Sequence, residues 1–284
     1  PFTTPVSTRA RSLPMELFTY TFFQYALLGG TAMAILAGLI GPLLVQSRQA
    51  IASDMFAHVA LAGIGAALLL PLAPWWGALP MLLLVSTLLW YLGGREEYSP
   101  DALAMFFLSG GLALALAFVH VARDQQFAFE NYLFGSILTL SAGEVAVMYL
   151  LSALVLGVVA TFWYPLIGIT QQPRYVLPYS ARPRLFELCF FWLLALVVWV
   201  GIKTIGGLLI GALLVIPALS VRRFVSSFRA LTVATTLVAL GAVWGGLVLA
   251  VVIDLPPSSL IVFTLIGAFL GQLVIGVARS PRRH

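Results

Sequence analysis

The chain has 284 residues, of which 61% are hydrophobic and only 9% are charged. A soluble domain carries about 25% charged residues, so this composition predicts an integral membrane protein and leaves no room for a large soluble ATPase or kinase domain. The basic residues behind the formal charge of +5 are scattered between apolar segments, so nucleic-acid binding is not expected. The single cysteine, Cys189, excludes an internal disulfide and a multi-cysteine metal site.

Residues 1–16 form an N-terminal tail with two arginines and without the pattern of a cleaved signal peptide. From residue 17 to residue 284 the chain is expected to form a single transmembrane domain, because apolar segments of about 20 residues alternate with short polar connections. Nine such segments are predicted. They run over 17–45, 52–71, 75–92, 100–122, 143–165, 185–203, 205–220, 230–253 and 258–278.

Two segments are ambiguous. The segment 205–220 is short and glycine-rich, so it is either a ninth span or a half-helix buried in protein. The stretch 125–141 is too apolar for an ordinary loop and is expected to be an interfacial or re-entrant helix. We favour nine spans, because eleven of the 15 Lys and Arg residues then fall on one side of the membrane. The expected architecture is an all-α polytopic bundle of about nine transmembrane helices, with the N-terminus outside and the C-terminus in the cytoplasm.

Asp54 and His58 stand four residues apart near the start of the second apolar segment. Positions i and i+4 share one face of a helix, so the pair presents one oxygen and one nitrogen in the same direction. Ionisable groups in a membrane are costly and usually functional, and this ligand pair suits Zn²⁺ or Mn²⁺. A second copy of the chain across a two-fold axis would complete a set of four ligands. The alternative is a hydrogen-bonded Asp–His pair that only locks two helices together.

Three further polar residues are possible secondary positions along a pathway, each with a simpler structural explanation. Asp101 follows Pro100 and is more readily explained as a cap of the fourth helix. His120 lies near the outer end of that helix, where an interfacial histidine is the commoner case. Glu130 is either a solvated loop charge or part of an outer vestibule that attracts cations.

Three other charged residues are expected to be structural. Glu144 follows Ser141 at the spacing of a capping box, which predicts a helix start. Lys203 would repel cations in a pathway, so its side chain is expected to extend to the outer membrane interface. Asp254 precedes two prolines in an outer turn.

Four stretches of the sequence carry a family resemblance: 53–63, with the pattern D-x-x-x-H-x-x-L-x-G from Asp54, then 101–111, 132–138, and 206–217 followed by 254–258. They resemble the metal-ion permease family of bacterial ABC importers, which move zinc or manganese, and they occur in the family's order over most of the chain. Ser53 stands where the family usually has glycine.

The resemblance implies a homodimeric permease of the bacterial inner membrane with a helical fold like that of the vitamin B12 importer. It implies two cytoplasmic ATPase subunits below, a periplasmic or lipoprotein metal-binding protein above, and surrounding membrane lipid. Asp54 and His58 would bind Zn²⁺ or Mn²⁺ as the transported substrate, with no permanently bound cofactor. The loop 171–180 lies where the family has its coupling helix but lacks acidic residues, so Gln172, Arg174 and Tyr175 are the candidate ATPase contacts.

Three functions remain open at this point. The leading hypothesis is an ABC importer permease; because the chain has no P-loop motif, it is not expected to be an enzyme, and ATP hydrolysis belongs to a partner chain. The second hypothesis is an ion-coupled secondary metal transporter without an ATPase partner, in which Asp54 and His58 relay protons. An intramembrane metalloprotease is disfavoured because the sequence has no H-E-x-x-H motif.

Overall fold

The computed structural model describes residues 20–70, 72–95, 97–122, 126–171 and 183–279. In these ranges the chain is almost entirely helical and contains no strand, as the composition predicts. In chain order the helices are α1 Thr21–Gln46, α2 Ile51–Leu68, α3 Pro74–Gly93, α4 Pro100–Val121, α5 Gln126–Phe134, a 3-10 helix Ile137–Thr139, α6 Ala142–Thr161, α7 Trp163–Gln171, α8 Pro183–Thr204, α9 Ile210–Val221, α10 Phe228–Ile253 and α11 Pro257–Arg279.

Eight of the described helices are long and apolar enough to cross a membrane. They coincide with eight of the nine predicted spans to within four residues at each end. The exception is the segment 205–220, which folds as a turn followed by the 12-residue helix α9. At 1.5 Å per residue α9 is about 18 Å long, too short for a full span of the hydrocarbon core. Among the described residues, eight of the nine predicted segments are therefore full-length helices, and the ninth is a turn followed by a half-helix.

The helix ends lie at two opposite faces of the bundle. A cavity at one face is lined by the end of α1, the start of α2, the end of α3, the starts of α4 and α8, and Arg222 at the end of α9. We call this the Arg222 face. At the opposite face, the end of α8 meets the start of α6 at Lys203, and we call it the Lys203 face. The short helix α9 leads from the Lys203 face to the Arg222 face, so it is not a re-entrant loop.

The α5 segment packs against the turn that separates α8 from α9, and we call this contact the glycine junction (residues 132–136 against 203–208). Gly135 and Gly206 both have positive φ, 78° and 93°. A Cβ atom on either residue would overlap the backbone of the other segment, so only glycine fits at these two positions. Three backbone hydrogen bonds complete the junction: Gly207 N–H to Tyr132 O (2.9 Å), Leu208 N–H to Leu133 O (3.2 Å) and Ser136 N–H to Lys203 O (3.3 Å).

Lys203 and Glu144 form an ion pair at the Lys203 face. The Ser141–Glu144 capping box is confirmed: the Ser141 N–H donates to Glu144 Oε2 at 2.9 Å, and the Glu144 N–H donates to Ser141 Oγ at 3.3 Å. The other oxygen of Glu144 lies 3.2 Å from Lys203 Nζ, which is also 5.2 Å from the centre of the Tyr132 ring. A carboxylate and an aromatic face within reach stabilise the half-buried ammonium. That Lys203 extends to the outer membrane interface stays a prediction.

Trp75 of α3 and Trp199 of α8 connect the two helices by hydrogen bonds and ring stacking. Trp75 Nε1 donates to the carbonyl of Trp199 at 2.9 Å, and Trp199 Nε1 donates back to the carbonyl of Trp75 at 2.8 Å. Their rings stack with centres 4.6 Å apart, and both side chains are buried. The reciprocal bonds satisfy both indole donors away from water.

At the far end of α10, Asp254 takes a left-handed conformation and ends the helix, which confirms its structural role.

Candidate metal pathway

Helix α2 places Asp54 in its first turn and His58 one turn later, on the same face. The Asp54 residue is exposed on the surface of the single chain, and His58 is half-buried. Their neighbours Ser53, Phe56 and Ala57 are buried. Helix α2 therefore packs most of its surface inside the bundle and leaves a narrow polar stripe open. This stripe carries the two residues that the sequence identifies as a ligand pair.

A hydrogen bond orients the His58 ring. Its Nδ1 lies 3.0 Å from the backbone carbonyl of Asp54. A carbonyl oxygen only accepts, so Nδ1 carries the hydrogen and donates. In the neutral ring Nε2 then holds a free lone pair, which is the form that binds a metal ion. The carbonyl one turn earlier in the same helix thus fixes the tautomer and the direction of a potential ligand.

Two glycines from other helices border this site. Gly111 of α4 packs against the α2 backbone, and a Cβ there would lie 3.0 Å from the carbonyl carbon of His58 and 2.9 Å from the Val59 nitrogen. Gly211 of α9 faces the Asp54 carboxylate, with which an added Cβ would overlap. The resemblance includes both glycines in its motifs, but the sequence assigned them no role. Clusters of glycine in apolar helices were the available signal, and they indicate close packing without naming the partner.

A single chain offers only the two predicted ligands at this place. Among the residues that the structure describes, no group of three or more His, Cys, Asp or Glu side chains is placed to hold one metal ion. A structural Zn²⁺ site has four ligands. If Asp54 and His58 bind a metal ion as predicted, one chain supplies half of such a set.

The predicted role of Asp101 as a helix cap is not borne out. Ser99 is the N-cap of α4, and its Oγ accepts the Ala102 N–H at 3.2 Å. Pro100 follows at the first helical position, and Asp101 lies in the first turn, where a negative charge favours the helix dipole. Asp101 is exposed and lines the cavity at the Arg222 face.

The three secondary candidates lie away from the Asp54–His58 pair. On α4, Gly111 is the residue that packs against the backbone of His58, so it lies at the same height in the bundle. Along α4, Asp101 lies about 15 Å from the level of His58 and about 9 Å from that of Asp54, and His120 lies about 14 Å from the level of His58 in the other direction. Glu130 is exposed on α5, beyond the end of α4. The structure therefore does not bring these three residues into one site with the pair.

The cavity at the Arg222 face has a volume of about 770 Å³ and extends to Ile51 and Ala52, in the turn of α2 that holds Asp54. Its wall combines opposite charges: Asp101 and Glu187 face Arg48 and Arg222. Sequence reasoning missed Glu187, because a single acidic residue at the start of an apolar helix has no spacing that marks it. The proposed ATPase contacts Gln172, Arg174 and Tyr175 lie outside the described residues.

Comparisons with known proteins agree with this architecture. The sequence model of the ABC 3 transport family matches residues 19–276. The high-affinity zinc uptake system membrane protein ZnuB of Haemophilus influenzae is 24% identical over 229 residues, which cover 81% of this chain and 88% of that protein. The manganese import system permease protein ScaB of Streptococcus gordonii is 24% identical over 259 residues, which cover 91% of this chain and 93% of that protein.

A solved structure shares the fold. A chain of PsaBC from Streptococcus pneumoniae, in complex with Fab, superimposes with a TM-score of 0.81 at 23% identity, covering 91% of this chain and 93% of that chain. The predicted polytopic helical permease fold is thereby confirmed. Since the family match extends over nearly all of the described helices, the chain belongs to the ABC 3 transport family.

Proposed function

We propose that this chain is the permease subunit of an importer for Zn²⁺ or Mn²⁺, and that Asp54 and His58 are ligands of the ion in transit. The observation that carries the proposal is the fixed His58 ring, whose Nε2 is left free by the bond from Nδ1 to the Asp54 carbonyl. The carboxylate of Asp54 lies on the same open stripe of α2. Zinc and manganese are the ions in the names of two relatives, and an oxygen–nitrogen ligand set suits both.

The proposed site is shared between two copies of the chain. An isologous two-fold interface brings the same surface of both subunits together, so an exposed Asp54–His58 stripe meets its own copy. The shell then contains two carboxylates and two imidazoles. The exposure of Asp54 and the half-buried position of His58 on a largely buried helix support this arrangement. A transit site also has to release its ion, which favours moderate affinity over a closed structural site.

The proposed exit route is the cavity at the Arg222 face. It extends to the first turn of α2, directly below Asp54. That face also carries many basic residues, whereas Lys203 at the other face is neutralised by Glu144. By the positive-inside rule the Arg222 face is the cytoplasmic one, so the ion moves inward through alternating access. The described arginines at this face include Arg48, Arg95, Arg184, Arg222, Arg223 and Arg229.

Energy for the cycle comes, in this proposal, from ATPase subunits on separate chains, with a metal-binding protein delivering the ion to the Lys203 face. Family membership supports this over a secondary transporter. Gln172, Arg174 and Tyr175, which follow α7 in the sequence, are the proposed ATPase contacts.

The test is uptake of radioactive Zn²⁺ and Mn²⁺ by cells that lack their own importers and express this chain with its ATPase and binding protein. Asp54→Ala and His58→Ala are each expected to lower uptake about tenfold or more, because losing even an outer partner of a metal ligand costs about 10–100-fold. His120→Ala is the matched control: it removes an exposed histidine about 14 Å along α4 from the site, and should leave uptake unchanged.

Normal uptake by Asp54→Ala and His58→Ala in correctly inserted protein would refute the ligand assignment. Uptake that persists without the ATPase would refute the ABC mechanism and favour the secondary transporter. The ion that the parent chain prefers identifies the substrate.

A further inference from the structure

Gly211 occupies the first turn of α9 and leaves room for the Asp54 carboxylate. A Cβ atom added to Gly211 would overlap Asp54 Oδ1 and lie 2.9 Å from Asp54 Cγ and 3.3 Å from Ser53 Oγ. With any side chain at position 211, the carboxylate has to leave its present place. We propose that Gly211 is a positioning residue that sets the affinity of the Asp54–His58 site for its ion. This inference rests on the proposed role of Asp54 as a metal ligand.

On the α2 side of this contact, the backbone is held in place. Ser53 is fully buried, and its Oγ donates to the Ala50 carbonyl at 2.7 Å. The next residues, Met55 and Phe56, are fully buried as well. Interiors packed in this way resist shifts of whole elements. An added methyl group at position 211 therefore displaces the exposed carboxylate more readily than it displaces α2.

On the α9 side, the glycine junction holds the start of the helix. The hydrogen bonds from Gly207 and Leu208 to the α5 segment end only three residues before Gly211. Gly207 also packs on α2, where a Cβ would lie 3.1 Å from the Leu61 side chain. The first turn of α9 is thus tied to α5 and to α2 at once, so it has little freedom to retreat from Asp54.

The start of α9 also provides a favourable electrostatic environment for Asp54. The N-cap residue, Leu209, has no side chain that caps the free N–H groups of the first turn. These groups give the start of a helix a partial positive charge, which attracts a carboxylate. Gly211 therefore lets the negative charge of Asp54 approach that end of α9. A side chain at position 211 would push the carboxylate away from both the dipole and its position beside His58.

The experiment is a Co²⁺ titration of the full-length chain in lipid nanodiscs, followed by visible absorption, which reports the ligand geometry around Co²⁺. Gly211→Ala is expected to raise the Kd about tenfold or more and to change the spectrum. Gly110→Ala is the matched control, since it adds a methyl group to α4 beside Gly111 but meets nothing within 4 Å. It should change the Kd by no more than about twofold.

A double-mutant cycle tests whether Gly211 acts through Asp54. In an Asp54→Ala background, Gly211→Ala should have no further effect on Co²⁺ binding, because the displaced group is already absent. Additive losses, or a Gly211→Ala variant that binds Co²⁺ like Gly110→Ala, would overturn the inference while leaving the ligand assignment intact. If Asp54→Ala and His58→Ala bind like the parent chain, the proposed function itself fails.

Folding of the variants gives an independent readout. If Gly211→Ala alone does not accumulate but the double variant with Asp54→Ala does, removal of the carboxylate has relieved the overlap and the inference is supported. If the double variant also fails to accumulate, the need for glycine at position 211 arises from another contact, and the inference is wrong.

Discussion

Gly135→Ala is expected to destabilise the protein through the glycine junction. Gly135 has a φ of 78°, where a residue with a Cβ costs about 1–2 kcal/mol. The new methyl group also overlaps the backbone of Ile205 and Gly206, and forced shifts of this kind cost about 1–3 kcal/mol. The two terms give a loss of about 2–5 kcal/mol, which corresponds to a fall in the unfolding midpoint of about 3–8 °C, since a chain of this size has an unfolding entropy of about 0.6 kcal/mol/K.

Thermal unfolding in detergent, followed by tryptophan fluorescence, measures this effect. Gly143→Ala is the matched control, because Gly143 lies in the first turn of α6 and a Cβ there meets nothing within 4 Å. Alanine favours a helix over glycine, so this control should keep or slightly raise the midpoint. Metal uptake by Gly135→Ala should fall as well, since the junction holds the start of α9. A midpoint within about 2 °C of that of Gly143→Ala would refute the reasoning.

Two further predictions concern paired groups. Lys203→Met leaves the Glu144 carboxylate half-buried without its cation and should cost about 1–3 kcal/mol, whereas the double variant Lys203→Met/Glu144→Gln should cost less than the sum of the two single changes. Additive midpoint losses in thermal unfolding would contradict a coupled pair. Trp199→Phe leaves the Trp75 carbonyl without its donor and should cost about 1 kcal/mol. Hydrogen exchange at residues 74–78 should then accelerate, and exchange at the parent rate would show that the reciprocal bonds do not hold α3.

Features that depend on composition, helical periodicity or a few neighbouring residues were predictable from the sequence. The apolar segments predicted eight of the spans because a membrane helix needs a continuous apolar stretch of fixed length. The spacing of Asp54 and His58 placed them on one face because every α-helix has the same period. The Ser141–Glu144 capping box formed as expected because its donors and acceptors lie within four residues.

Only the tertiary structure decided which distant segments meet. The sequence contains Gly135, Gly206 and Gly211, but a glycine in the sequence does not reveal its structural role. It can bend a helix, line an interface or make room for a carboxylate. The pairing of Lys203 with Glu144 could not be predicted from the sequence, because the two residues are 59 positions apart in the chain. Likewise, α9 proved short because its start is tied to α5. The sequence by itself determined the class of protein and the shared helix face of Asp54 and His58, since local forces set both. The surroundings of that pair depend on packing between helices far apart in sequence, which no local pattern encodes.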